Sequence, residues 1–315
     1  MDPRARITEF CSNSIHMKNA PKPLRLRLVV PICLALLSGR QGNAQASAEP
    51  IEAQNPSSKQ VIDLPTSKQL LEPVPGLPAK LNSLPMAFAL SPDGHYLAVL
   101  NAGYGTFESQ YQQSIAVLDT KTGKLADFPD ARTAANLPQL LYAGLAFSAD
   151  GTHLYASIDS LTAPEGNGAE KTGNAIAVYS VKDGMVAPER LIPVPLQQLN
   201  NGKVQNSIGL AMAKGMAIPA PAGLVMLKGE SGNEEIFVAD ELSDDALLID
   251  AASGKVIRRY DLSDKQTVPA NFPIAVAVSR DGRRGFVALW NGSAVWELDM
   301  KNGSVLNKLA LLPPQ

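Results

Sequence analysis

Beyond residue 46, this 315-residue chain offers few groups able to do chemistry. Only His95 and His153 of its three histidines lie there, and both cysteines, Cys11 and Cys33, lie before it. Thiolate nucleophiles, zinc–thiolate centres and all-histidine metal sites are therefore excluded from the main body of the chain. No Gly-x-Ser-x-Gly, His-Glu-x-x-His or phosphate loop occurs. Oxygen chemistry remains. Tyr104, Glu108, Asp159, Glu165, Asp240, Glu241, Asp244, Trp290 and Asn291 stand at or just beyond the ends of apolar runs. Carboxylates gathered from separate elements could jointly hold a hard divalent cation (calcium, magnesium or manganese) through oxygen ligands; left apart, they form a solvated acidic rim. Trp290 and Trp296 read either as packing residues or as a ligand-stacking platform.

The elements that must position these groups are set by a repeat. Ser91-Pro92-Asp93-Gly94, Ser148-Ala149-Asp150-Gly151 and Ser279-Arg280-Asp281-Gly282 each separate two apolar stretches. Asp-Gly between alternating hydrophobic runs signals a hairpin, because glycine supplies the positive φ of the tight turn. A second turn follows each: Asp119 to Gly123, Asp183-Gly184, Asp250 to Gly254 and Asp299 to Gly303. Strand, turn, strand, connection, strand, turn, strand is the order of a propeller blade. The pattern predicts an all-β chain of four four-stranded blades over residues 86–128, 144–194, 223–262 and 273–312, the third with a degraded first turn at Glu230 to Asn233. His95 and His153 follow Asp-Gly turns, where surface or turn roles are expected, and Arg258-Arg259 and Arg283-Arg284 read as solvated pairs.

The segments Ala87 to Asn101 (AFALSPDGHYLAVLN) and Ile236 to Asp250 (IFVADELSDDALLID), with Ser253-Gly254-Lys255-Val256, resemble YVTN-type repeats of YncE-like, lactonase-like β-propellers. The order of the chain is also similar to the N-terminal half of exported proteins that fuse such a propeller to a phosphoesterase domain. The resemblance implies a seven-bladed ring, of which four blades are visible. The reading takes the chain as lacking C-terminal blades or the phosphoesterase domain, with a closed four-bladed ring as the alternative. It also expects an open arc with two unpaired flanks. Val61 to Leu64 and Gln69 to Val74, within a leader strand at 61–75, are expected to supply a closing strand that has no visible mate.

The first 46 residues differ in composition. A basic stretch from Met17, an apolar run from Leu28 to Leu37 and the small-residue end Ala44-Gln45-Ala46 follow the order of a Sec-type export signal. Met17 is a possible true start. The expected location is periplasmic or extracellular, with no membrane span after signal removal, since ten apolar residues do not cross a bilayer. Residues 47–60 read as a tether and 61–315 as the propeller. From Ser47 the chain holds 21 basic and 28 acidic residues, a net charge of −7, and the whole chain has 17 aromatics. Both features argue against nucleic acid as a partner.

Loop lengths choose a face. The two turns of blades three and four are 22 and 21 residues apart, against 29 and 33 in blades one and two. The excess lies between second and third strands, at Asn101 to Gln113 and Asp159 to Asn174, on the same side as the crossovers Pro129 to Tyr142 and Pro195 to Ala222. Long loops on a rigid scaffold are where binding residues concentrate. Tyr104, Glu108, Asp159, Asp240, Glu241, Trp290 and Asn291 on that face are the candidate ligand-binding residues, for a small molecule or a protein. The expected role is an exported binding or docking module tied to phosphoesterase activity; the alternative is a lactonase-like hydrolase using a divalent cation.

Overall fold

The computed structural model describes residues 61–63, 69–71, 81, 84–103, 113–134, 136–167, 171–206 and 215–311. All belong to the second of the two units into which the chain divides, Met1–Ala46 and Ser47–Gln315. The expected signal and tether lie outside the described residues.

Local chemistry explains why the Ser-x-Asp-Gly repeats turn where they do. In all three, the serine hydroxyl donates to the Asp Oδ1 at 2.6 Å. That same Oδ1 accepts the backbone N–H two residues on, from His95, Thr152 and Arg283, at 2.9–3.1 Å. The serine Oγ accepts the N–H that begins the next strand, from Tyr96, His153 and Arg284. Glycine then takes φ values of +70°, +73° and +69°, a region in which other residues are strained. These donors hold Asp93 and Asp281 below the ordinary carboxylate range and bring Asp150 down to about 2, the serine hydroxyl being the largest cause in each.

The turns fold the chain into four antiparallel four-stranded sheets, and the protein is a β-propeller. Blade one comprises Pro85–Leu90, Tyr96–Asn101, Ser114–Asp119 and Leu125–Pro129; blade two, Leu140–Phe147, His153–Asp159, Ala175–Lys182 and Met185–Pro193; blade three, Pro221–Lys228, Glu234–Asp240, Asp245–Asp250 and Val256–Asp261; blade four, Pro273–Val278, Arg284–Leu289, Ala294–Asp299 and Val305–Ala310. Among the described residues the helical content is one 3-10 turn, Ala131–Thr133, and no helix is long and apolar enough to cross a membrane.

Apolar residues of neighbouring blades interdigitate in three layers. Leu100, Ile115, Leu145, Phe147 and Leu154 fill the junction of blades one and two, Tyr155, Ile176, Ile236, Val238 and Leu247 that of two and three, and Phe237, Tyr260, Val287, Trp296 and Leu298 that of three and four. First strands approach closely at two glycines. A Cβ on Gly144 would lie 2.3 Å from the Ala222 carbonyl oxygen, and one on Gly223 2.6 Å from that of Ile274.

Three features differ from the sequence reading. Val61–Asp63 and Gln69–Leu71 pair with each other as a short antiparallel hairpin, so these leader strands are each other's mates. The first strand of blade two begins at Leu140, not Gly144, because a register break between Leu141 and Leu145 absorbs the extra residues; a similar break starts blade three at Pro221. The crossover after blade two carries small ladders, Gln197–Gln198 with Met216–Ala217 and Val204–Gln205 with Thr267–Val268.

Candidate functional site

Strand alternation places an acidic group at the loop-face end of the junction between blades two and three. Side chains two or four apart in a strand share a face. Asp159 therefore lies on the side of Tyr155, and Asp240 on the side of Ile236 and Val238, all of which pack into that junction. Asp245 stands directly across the ladder from Asp240. Glu241 follows Asp240 in sequence, and the Tyr142 hydroxyl, carried on the first strand of blade two, donates to Glu241 Oε2 at 2.7 Å. Five oxygen-bearing side chains thus come from two blades.

Burial dominates their protonation. Asp240 is fully buried, and neither carboxyl oxygen receives a hydrogen bond from a described residue. Its affinity for a proton is pushed well up, first by burial, then by the charge of Asp245 and the hydrogen bond to it. Asp240 is accordingly the acid of the pair. Burial also raises Asp245, to about 6, but Arg259 opposes the shift: its Nε donates to Asp245 Oδ2, and Ser243 Oγ donates to Oδ1 at 2.7 Å. Asp159 is raised to about 7, by burial and then by the charge of Glu241, and its Oδ1 finds no partner among the described residues. Burial and the bond to Glu241 push the Tyr142 phenol up too. A carboxyl that titrates near neutrality beside a held phenol is able to give and take protons.

Beside this group lies a cavity of about 460 Å³ between blades one and two. Leu84, Met86, Ala102, Leu137 and Leu140 make its wall mostly apolar, and Gln113, Gln139 and Tyr142 contribute polar groups. Gln113 is fixed by donating Nε2 to the Thr133 carbonyl at 2.9 Å and accepting the Leu141 N–H at Oε1. Tyr142 belongs to both the cavity wall and the acidic group.

The candidates named from sequence divide accordingly. Asp159, Asp240 and Glu241 come together. Tyr104 and Glu108 lie outside the described residues. Trp290 is exposed and meets Phe272 edge-to-face at 6.2 Å, and Asn291 Nδ2 donates to the Ala270 carbonyl at 2.8 Å, so both sit on the short turn of blade four. Asp244 anchors a crossover by accepting the N–H groups of Ala270, Asn271 and Phe272 at 2.7–3.0 Å. Glu165 is exposed. Trp296 is core, with Lys308 Nζ 3.5 Å from its ring centre. His95 stacks on Tyr96, 3.3 Å from Asp119, and His153 lies 3.3 Å from Glu189, both at turns.

Sequence reasoning missed Tyr142, assigned to a crossover, and misjudged Arg259, which is partnered with buried Asp245 and not solvated. Asp245 also went unnoticed, although Asp240 and Asp245, five residues apart at the facing ends of two apolar runs, were there to be read as a facing pair. Among the described residues no three His, Cys, Asp or Glu side chains converge closely enough to ligate one metal ion.

No protein-family model and no curated protein matches the chain. Solved structures do. It is similar to the periplasmic gluconolactonase PpgL of Pseudomonas aeruginosa (20% identity over 73% of this chain and 58% of that one, TM-score 0.47). It is also similar to a protein from Lactobacillus plantarum (11%, 84% and 66%, TM-score 0.48) and to hydrazine synthase of Kuenenia stuttgartiensis (16%, 75% and 52%, TM-score 0.44). These are likenesses of fold. The chain spans between about half and two thirds of the length of each.

Proposed function

We propose that this chain is the binding module of an exported protein, coupled to a phosphoesterase domain as in the propeller fusions its repeats resemble. The observation that carries the reading is the roughly 460 Å³ cavity on the loop face, apolar over most of its wall and edged by Gln113, Gln139 and Tyr142. Small-molecule sites usually combine such a wall with a few placed polar groups, at volumes of about 300–1,000 Å³. Toluene is a suitable first probe. Ligand-observed NMR should detect its binding, and Ala102→Phe, which fills the space, should abolish the signal while leaving the fold intact. Toluene that binds both forms equally, or neither, refutes this use of the cavity.

Asp159 favours a second reading, a lactonase-like hydrolase that works by proton transfer. A carboxyl titrating near 7 suits a general base that activates water at neutral pH. Under this reading the chain hydrolyses δ-gluconolactone with a rise in rate centred near pH 7, and Asp159→Asn lowers the rate by about 10²-fold or more. Hydrolysis at the uncatalysed rate at every pH removes it.

A further inference from the structure

The cavity between blades one and two has an uncharged side and a charged one. Leu84, Met86, Ala102 and Leu137 give it apolar surface, and among the described residues no lysine, arginine or histidine lines it. The arginine closest in sequence to the wall, Arg132, is engaged elsewhere: its Nη2 donates to Asp130 Oδ2 at 2.8 Å and its guanidinium lies over the Tyr179 ring. Both lining amides donate Nε2 to backbone carbonyls, Gln113 to Thr133 at 2.9 Å and Gln139 to Arg132 at 2.7 Å.

Two separate relationships bring carboxylates to the other side. Leu140 lines the cavity and stands directly across the ladder from Asp159, and opposed residues of an antiparallel pair share a face. Tyr142, also in the wall, gives its hydroxyl hydrogen to Glu241 Oε2 at 2.7 Å, so its oxygen is left to accept from a ligand. The charges act on one another: Glu241 raises the proton affinity of both Tyr142 and Asp159, and Asp159 that of Tyr142. Asp159 is 8% exposed, with an Oδ1 that has no partner among the described residues. The cation of the acidic group, Arg259, is taken by Asp245.

An apolar wall with an anionic edge selects an apolar cation. We infer that the cavity takes a primary amine carried on an aromatic or branched aliphatic body, the ammonium at the Tyr142–Glu241 edge and the body against Leu84, Met86, Ala102 and Leu137. This rests on the binding reading above and adds the charge of the ligand. The ammonium donates to the Tyr142 oxygen beside the Glu241 carboxylate, and hydrogen bonds that carry charge are the strong ones. A carboxylate or phosphate at the same edge is repelled.

Benzylammonium, toluene and benzoate share one ring and differ in charge, so titration by ligand-observed NMR at pH 8 separates the two claims. Benzylammonium should bind the full chain at least about tenfold more tightly than toluene, and benzoate more weakly than either. Glu241→Gln keeps an acceptor for the Tyr142 hydroxyl and removes the charge. It should cancel most of the advantage of the amine, with unchanged toluene binding as the sign that the cavity is intact. Asp159→Asn removes the second charge and should lower the advantage as well. Toluene binding with no preference for benzylammonium overturns the inference and leaves the cavity reading standing. Binding of neither overturns both. A preference that persists in both variants, or in Ala102→Phe, places the amine elsewhere and overturns the inference too.

Discussion

Asp240 and Asp245 face each other across the second and third strands of blade three, both fully buried, and one cation, Arg259, donates to Asp245. The pair is asymmetric. Asp240 is the neutral member, so replacing its hydroxyl by an amide keeps shape and charge. Asp240→Asn should leave stability unchanged or raise it slightly. Asp245→Asn removes the charge that Arg259 serves, and an abandoned, largely desolvated cation costs about 3–5 kcal/mol. Urea unfolding of the two variants measures the contrast; equal losses would show that the proton is not held as described.

Asp159 makes stability depend on pH. Its carboxyl binds a proton more tightly folded than unfolded, with a native value of about 7 against 3.8. Its contribution is therefore complete below pH 3.8 and is lost as pH rises through 7. Asp159→Asn, which stays neutral, should match the parent near pH 4 and exceed it by up to about 4 kcal/mol at pH 8. Thermal midpoints at the two pH values test this, and a variant less stable at pH 8 contradicts it.

The turn repeats give a third expectation. Ser148 is buried, donates to Asp150 and accepts the His153 N–H. Ser148→Ala leaves that N–H without its acceptor and should cost about 1–3 kcal/mol. It should also return Asp150 from about 2 toward the ordinary carboxylate range, since the Ser148 hydroxyl is the largest cause of the lowering. Carboxyl NMR titration reads the second effect apart from the first.

Much of the architecture was legible because its causes are local. Ser91, Asp93 and Gly94 satisfy one another within five residues, and so do their counterparts at 148 and 279, so the turn, the strands and the blade follow from spacing. The acidic group was only half legible. Asp159, Asp240 and Glu241 stood out as strand-end carboxylates, but nothing near Tyr142 in sequence says that it reaches Glu241, 99 residues on. Nor does Arg259 beside Arg258 look different from a solvated pair until Asp245 is placed against it. The start of blade two was missed for a related reason: the register break after Leu141 is set by the partner strand and by the Gln113 side chain that receives the Leu141 N–H.

Blade packing also sets the tolerance of one position to a single methyl group. Gly144 sits on the first strand of blade two where it passes blade three, and a Cβ there would fall 2.3 Å from the Ala222 carbonyl oxygen and 2.9 Å from Leu224 Cγ. The nearest atom belongs to the backbone of the first strand of blade three, so it cannot swing aside as the end of a long side chain would. Relief requires the two first strands to separate, which loosens the layer containing Tyr155, Leu224 and Ile236. Forced overpacking of this kind costs about 1–3 kcal/mol, against the few tenths to 1 kcal/mol that Gly→Ala gains where alanine fits. Gly144→Ala should therefore lower the unfolding midpoint. It should also speed hydrogen exchange in the first strands of blades two and three more than in blade four. Uniform exchange across the blades, or a midpoint that rises, would show that the strands have room to spare.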